Sequence, residues 1–502
     1  MIEAGPPATS PWTRIPIGYG KTFYDPRVNW MYQTAPVPGL GGRTSYWPRG
    51  KVLGGSSTIN AMVYSRGQPC DFDEWEALGN SGWGWNDVLA AYRRMEDHDL
   101  GASAMHGAGG PVHVTVTEHD AHPLTRRFVS AAGELGIPYT PDLNGLSIEG
   151  AGYYQTTTRN GFRESSATAY LRHRSNLRVV TRHQATHLIF DGLRAVGVAC
   201  EGPQGPVQFR TSGEVILSAG SVGSPLLLQL SGIGPGPLLR RLGLAVVAES
   251  PAVGRNLQDH LSYDHIFRTT EPSLNQELRP LLGKLSVGLR YVLTRRGPLA
   301  MSLNQGGGYY RSDAGLAAPD IQLYFSPLSY ERAPVGVRPL LTPDPFPGVN
   351  ASISPCKPRS VGYLELAAPD FRAPPAIHPQ YLSDPHDMRQ MLDGARLLRR
   401  LAATAALAPL IAEELKPGHA VNSDADLEVD IRARAYSVFH PAGTCRMGLD
   451  PAVSVVDSLL RVHGVAGLRV ADASIFPTLT SGNINAPAMM VGEVASQIIA
   501  AS

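Results

Sequence analysis

The residues best suited to chemistry lie in two loops near the end of the 502-residue sequence. In Phe439-His440-Pro441-Ala442-Gly443-Thr444-Cys445-Arg446-Met447-Gly448, His440 offers an imidazole that accepts a proton near physiological pH. Pro441 and Gly443 favour a fixed loop around it. Most of the 15 histidines are expected to serve surface or packing roles, so residue type alone does not single out His440. In Gly482-Asn483-Ile484-Asn485, an asparagine amide can donate to an oxygen on which negative charge develops, although such loops often only make turns. Two glycine-rich stretches add a binding surface. In Leu53-Gly54-Gly55-Ser56-Ser57 the paired glycines either make a tight turn or let backbone N–H groups approach a phosphate or ring edge. Ala219-Gly220-Ser221-Val222-Gly223 sits between a strand and a helix, which suits close packing against a dinucleotide.

The elements that must position these residues read as alternating α and β. Met1-Ile2-Glu3-Ala4-Gly5 resembles the end of a strand entering a loop. Asp71 to Met95 reads as two short helices split by Gly79–Gly84. The second is capped near Asn86 or Asp87, with Val88, Leu89, Tyr92 and Met95 on one apolar face. Short apolar runs between Asn176 and Cys200, with Asp191-Gly192 between two of them, predict a hairpin. Val215-Ile216-Leu217 predicts a strand, and Pro225 to Leu230 a helical run. Between 262 and 435, the runs IQLYF and VGYLEL predict strands and Asp387 to Ala406 a helix. The end reads as the strand LRVADA, a polar loop and a helix from Pro487 to Ala500. Elements that look like a nucleotide-binding unit thus recur at the start, near residue 200 and at the end, around a middle of different character. This order predicts a discontinuous α/β domain over 1–65, 176–261 and 436–502, with a substrate domain and connections over 66–175 and 262–435.

Composition excludes several classes. Forty-four Lys and Arg nearly cancel 43 Asp and Glu, so no global field recruits nucleic acid or an acidic membrane. Cys70, Cys200, Cys356 and Cys445 are widely spaced and form no C-x-x-C pair, which fits reduced thiols rather than a disulfide framework or structural zinc. Glu118-His119-Asp120-Ala121-His122 lacks a metal-ligand spacing and reads as a solvated loop, so no metal is expected. No apolar run reaches the roughly 20 residues of a membrane span, which predicts a cytoplasmic protein, with peripheral association at the inner membrane as the variant. The basic, amphipathic stretch Arg279 to Arg296 is read as a helix covering the active-site entrance in preference to one lying on a membrane.

Four blocks in this order resemble the glucose–methanol–choline (GMC) oxidoreductase family: RGKVLGGSSTINAMVYSRG at 49–67, LSAGSVGSPLLLQLSGIGP at 217–235 with VGRNLQDH at 253–260 behind it, FHPAGTCRMG at 439–448, and LRVADASIFPTLTSGNINAPAMMVGE at 468–493. The similarity runs over nearly the whole chain and is closest to the bacterial choline-dehydrogenase-like branch. It implies a Rossmann-like FAD domain and a substrate domain built on an antiparallel sheet with helices. It also implies oxidation of an alcohol to an aldehyde or ketone, with the hydride passed to flavin N5. His440 is then the base and Asn483 the hydrogen-bond donor to the substrate oxygen, while Asn485 supports the flavin or the loop. By the same resemblance Val52, Gly54, Gly55, Asn60, Ala61, Met62 and Val63 lie along the flavin, Ala185 lies near the adenine, and Gly220 and Ala473 belong to the cofactor site. Asp472 accepts from cofactor hydroxyls, or else caps a helix before Ala473. Some members link flavin to a histidine where this chain has Ile59, which implies non-covalent FAD.

The sequence departs from the family pattern at its start, where a G-x-G-x-x-G loop and a second strand ending in an acid are expected. Glu3 is read as that acid, binding the adenosine ribose, so the FAD domain is N-terminally incomplete by roughly 30 residues. A late-assigned start is favoured over a truncated gene, and the chain as written is expected to be poorly soluble and to bind FAD weakly. The implied partners are a small alcohol and an electron acceptor, whether quinone, carrier or oxygen. An oxygen-using oxidase is the nearest alternative, followed by a hydroxynitrile lyase-like FAD protein or a non-catalytic remnant. Choline recognition would need an aromatic cage, for which Tyr309, Tyr310, Tyr324 and Phe325 are candidates whose convergence the sequence does not show.

Overall fold

Strand periodicity and turn residues account for the first layer. In the computed structural model, which describes residues 1–172, 174–330 and 342–502, the strands Gln184–Asp191, Arg194–Gly202 and Gly205–Arg210 form an antiparallel meander. Its first hairpin turns at Gly192, whose φ of 56° suits glycine. Beside it Val215–Leu217 pairs in parallel with Leu468–Val470, joining segments far apart in sequence. The helix Gly220–Leu230 leaves the first of these strands, and Asn485–Ala500 closes the chain. Near the start, Ile2 bridges Val180 in parallel.

The second layer is a seven-stranded antiparallel sheet. Its path runs Ile411–Lys416, Leu261–Thr269, Gly348–Pro355, Ile321–Ser326, Gly306–Tyr310 and Gly150–Tyr153, and Tyr436–Ser437 also pairs with Leu261–Thr269. Every residue of Gly348–Pro355 and Ile321–Ser326 is buried, because the helix Pro385–Ala402 covers the sheet. That helix approaches closely at Gly394, where a Cβ would come within 2.7 Å of Ile353 Cγ1. The chain is therefore a mixed α/β protein with a parallel unit and a large antiparallel sheet.

Two large cores follow these layers. In the first, Phe72, Trp75, Tyr92 and Met95 pack with Val470, Phe476 and Met490. The expected split after residue 71 is present as the helices Pro69–Ala77 and Trp85–Met95. Gly84 is the N-cap of the second helix, so Asn86 and Asp87 lie in the first turn beside it. The helix begins early enough to bury Trp85, and its N–H donates to Asp73 Oδ1 at 3.0 Å. The second core packs Phe128, Phe325, Ile353, Met391 and Leu398 between the sheet and its helices. Among the described residues no helix is long and apolar enough to cross a membrane.

Candidate active site

A cleft of about 2530 Å³ runs between the glycine-rich stretches and the two C-terminal loops. Fourteen of the fifteen residues singled out from sequence line it: His440, Asn483, Glu3, Gly54, Gly55, Asn60, Ala61, Met62, Val63, Ala185, Gly220, Asp472, Ala473 and Asn485. Val52 does not. Its side chain is fully buried with Val28 and Ile59, because the backbone at Lys51–Val52 packs directly against Gly5. The volume far exceeds that of a small alcohol and suits a dinucleotide beside it. Gly55 (φ 55°) and Gly220 (φ 79°) have nothing within 4 Å of where a Cβ would stand, so their backbone is open to a ligand. Ser221, in the first turn of the Gly220–Leu230 helix, lines the cleft and has a buried hydroxyl without a hydrogen-bond partner among the described residues. A helix N-terminus with a spare donor is a suitable surface for a phosphorylated ligand. These features fit FAD.

The catalytic candidates are joined by a directed chain of hydrogen bonds. His260 Nε2 lies 2.9 Å from the Cys356 carbonyl, which can only accept, so Nε2 carries the proton. Burial holds His260 neutral, its pKa pushed down to about 4, so its Nδ1 is a lone pair. His440 Nδ1 lies 2.9 Å from His260 Nδ1 and therefore donates to that lone pair. The unprotonated nitrogen of His440 is then Nε2, which accepts from Asn483 Nδ2 at 3.1 Å. Asn483 is oriented in turn by Gln322, whose Nε2 lies 3.2 Å from Asn483 Oδ1 and whose Oε1 accepts from the Tyr324 hydroxyl at 2.6 Å. His440 is 7% exposed, and burial, then His260 and Arg49, push its pKa well below the usual histidine value. It is a neutral base with its lone pair towards Asn483.

The backbone of this loop is fixed by a buried carboxylate. Asp259 Oδ1 accepts from His440 N at 2.6 Å, and Oδ2 accepts from Ser437 Oγ at 2.5 Å and from the Tyr381 hydroxyl. Arg49 Nη2 donates to the Phe439 carbonyl at 2.6 Å, where Phe439 holds a φ of 67°. Burial raises Asp259 to about 6, opposed by these donors and Arg49. On the other loop, a Cβ at Gly482 (φ 81°) would collide with the Tyr309 hydroxyl, so glycine is what lets Asn483 reach its place.

Asp472 spends most of its carboxylate inside the protein. Oδ2 accepts from Gly220 N at 2.9 Å and Ser224 Oγ at 2.6 Å, and Oδ1 accepts from Ser474 N at 2.8 Å. It caps the turn Ala473–Ile475 and ties the end of one parallel strand to the helix that follows the other. Glu3 Oε1 accepts from Gly5 N at 2.7 Å. Burial raises its pKa to about 7, against the Gly5 hydrogen bond and the charge of Lys51.

Asp259 and His260 stand in VGRNLQDH and Arg49 opens the 49–67 block, but sequence alone assigns them no role. An ionisable pair entering a strand was the available signal. Gln322 had no signal, since only pairing of Ile321–Ser326 beside Gly306–Tyr310 brings it to Asn483. The four aromatic candidates do not form a cage, and none lines the cleft. Strand alternation sends Tyr324 towards Asn483 and turns Phe325 away, stacked on Phe128 at 4.8 Å. Tyr309 bonds Ser65 Oγ at 2.7 Å. Glu118–Asp120 is a short 3-10 turn, and no group of three metal-ligating residues occurs among the described residues. The stretch from Arg279 does form a helix, Leu281–Thr294, but none of its residues lines the cleft, contrary to the expected entrance cover. It packs instead through Val287 and Tyr291, whose hydroxyl donates to the Gly161 carbonyl.

The cleft is large enough for a dinucleotide and carries a neutral histidine and an asparagine on its wall. The chain belongs to the GMC oxidoreductase family, a family of FAD flavoenzymes acting on CH–OH donors: residues 19–262 match its N-terminal region and 358–492 its C-terminal region. It is 39% identical to an alcohol dehydrogenase [acceptor] of Pseudomonas putida, over 99% of this chain and 90% of the relative. An oxygen-dependent choline dehydrogenase of Brucella suis is also 39% identical, over 99% and 90%. Among solved structures, pyridoxine 4-oxidase from Mesorbium loti superposes with a TM-score of 0.88 at 30% identity, covering 99% of this chain and 93% of that one. A formate oxidase superposes with a TM-score of 0.92 at 25% identity, covering 100% and 93%.

Proposed function

We propose that the protein oxidises an alcohol to an aldehyde or ketone, with His440 Nε2 as the proton acceptor. The observation that carries this reading is the fixed tautomer: Cys356, His260 and His440 are hydrogen-bonded so that the unprotonated Nε2 of His440 faces Asn483 on the cleft wall. A hydroxyl that takes the place of their mutual hydrogen bond accepts from the Asn483 amide and gives its proton to His440. As the oxygen becomes negative, the Asn483 donor stabilises it, and the Gln322 contact keeps that amide from turning over. FAD, when bound, supplies the acceptor for the carbinol hydride.

Glu3 and Ala185 are assigned to the adenosine end and Gly54, Gly55, Asn60, Ala61, Met62 and Val63 to the flavin. Gly220, Asp472, Ala473 and Asn485 complete the cofactor wall. Ile59 at the cleft leaves no nucleophile for a covalent link there. An apolar wall continues from the catalytic loop: Phe439 meets Phe23 at 5.7 Å and Phe23 meets Tyr19 at 5.4 Å, with Met62 and Leu303 packed against them. It favours an alcohol with an apolar substituent. The similarity to an alcohol dehydrogenase [acceptor] supports a quinone or carrier as oxidant, and that to oxygen-dependent choline dehydrogenases supports oxygen.

The test is the visible spectrum of the FAD-loaded protein, mixed anaerobically with alkanols, aryl alcohols and choline. Bleaching by an apolar alcohol with release of its aldehyde or ketone supports the reading. An unbleached flavin with turnover of a hydroxynitrile would replace it with the lyase.

A further inference from the structure

The Leu281–Thr294 helix presents a face that the catalytic reading does not use. Leu281, Leu282, Leu285, Leu289, Val292 and Leu293 are each 60% to 81% exposed. Their spacing places them on one stripe, opposite the buried Val287 and Tyr291. Six large apolar side chains in one stripe exceed the scattered singles of an ordinary surface. We propose that this helix docks the protein in the surface of an anionic phospholipid leaflet.

Charge selects the occupant. Residues 279–296 carry Arg279, Lys284, Arg290, Arg295 and Arg296 and no acid, in a chain whose net charge is only +1. Asp120 lies 3.6 Å from Arg290 and 4.0 Å from Arg296, which neutralises part of this cluster and leaves it cationic overall. A second copy seated on the same face would bring the cations of one helix against those of the other. An anionic headgroup layer complements them while the leucines enter the acyl boundary. At 14 residues the helix is about 21 Å long, too short to span a bilayer and suited to lying in its plane.

The surroundings continue the surface. Arg14 and Arg295 lie 5.0 and 4.9 Å from the Phe162 ring, so the short helix Pro11–Arg14 adjoins the C-terminal end of the docking helix. It carries the exposed Trp12, with Lys21 Nζ 5.3 Å from its ring, a pairing suited to the headgroup level. After the helix, Pro298–Ala300 leads within a few residues to Leu303 and Asn304 on the cleft wall. Docking would therefore set the cleft rim beside the leaflet.

The experiment is co-sedimentation of the full chain with vesicles of phosphatidylcholine alone or mixed equally with phosphatidylglycerol. Binding is expected with the anionic vesicles, weakening as salt rises, and more than about tenfold lower in the triple variant Leu282→Gln, Leu285→Gln, Leu289→Gln. These side chains are exposed, so the variant should keep its circular dichroism spectrum and its flavin reduction rate. Lys284→Glu should weaken binding to the anionic vesicles only. The wild type remaining in the supernatant with anionic vesicles would overturn the proposal. A solution dimer that the triple variant converts to monomer, without vesicle binding, would assign the face to a second copy.

Discussion

At the scale of single residues, the positions of protons decide what the site can do. His260 fixes the tautomer of His440 without contacting the cleft itself, since its two nitrogens are spent on Cys356 and His440. It is a positioning residue. Replacing it by phenylalanine keeps a ring of similar volume and removes the acceptor for His440 Nδ1–H. His260→Phe is expected to lower kcat by about 10- to 100-fold, the usual cost of losing an orienting partner, with KM little changed. Steady-state kinetics on one bleaching alcohol checks this, and an unchanged kcat would mean that the loop alone orients His440. His440 itself was legible because its block matches a family pattern. The residues that set its tautomer were not, because their roles depend on distances between segments about 100 to 180 positions apart.

At the scale of elements, the two catalytic loops are held by different devices. Asp259, at the entry to Leu261–Thr269, ties down Ser437, Tyr381 and the His440 amide. Gly482 instead gives the other loop a left-handed backbone and room beside the Tyr309 hydroxyl. Gly482→Ala is expected to displace Asn483 and to cost about 1–3 kcal/mol of stability through strain at that φ. Flavin reduction should slow by about 100-fold, because a displacement near 1 Å is enough to spoil alignment. Thermal melts and stopped-flow absorbance read the two effects separately. Sequence periodicity gave the hairpin at Gly192 and the helix pair at 69–95. The 281–294 amphipathic pattern was also legible. Its direction was not, because periodicity shows that two faces differ but not which one meets the protein.

At the scale of the whole molecule, buried imidazoles make folding sensitive to acid. Burial pushes His98 and His260 down to about 4, and His265 and His440 well below the ordinary value. In the unfolded chain each titrates near 6.5, so between about 4 and 6.5 the unfolded state binds more protons. Their contribution is present above pH 6.5 and is lost as pH falls below it. Glu3 and Asp259, raised to about 7 and about 6, act with the opposite sign and offset part of the slope. The melting temperature is therefore expected to fall as pH drops from 6.5 to 4.5. His265 lies between Tyr263 and Phe267 with neither ring nitrogen partnered among the described residues. His265→Leu should raise the melting temperature and flatten its pH dependence. Calorimetry at stepped pH values measures both, and an unaltered slope would contradict the assignment of His265 as a neutral buried ring.

The proposed reaction turns on His440 taking the alcohol proton. Its most direct test is the anaerobic rate of flavin bleaching in FAD-loaded His440→Ala, measured by stopped flow with and without added imidazole. The expected rate is about 10²- to 10⁴-fold below wild type with the flavin still bound, partly restored by imidazole entering the vacated space. Bleaching at the wild-type rate in His440→Ala would contradict it.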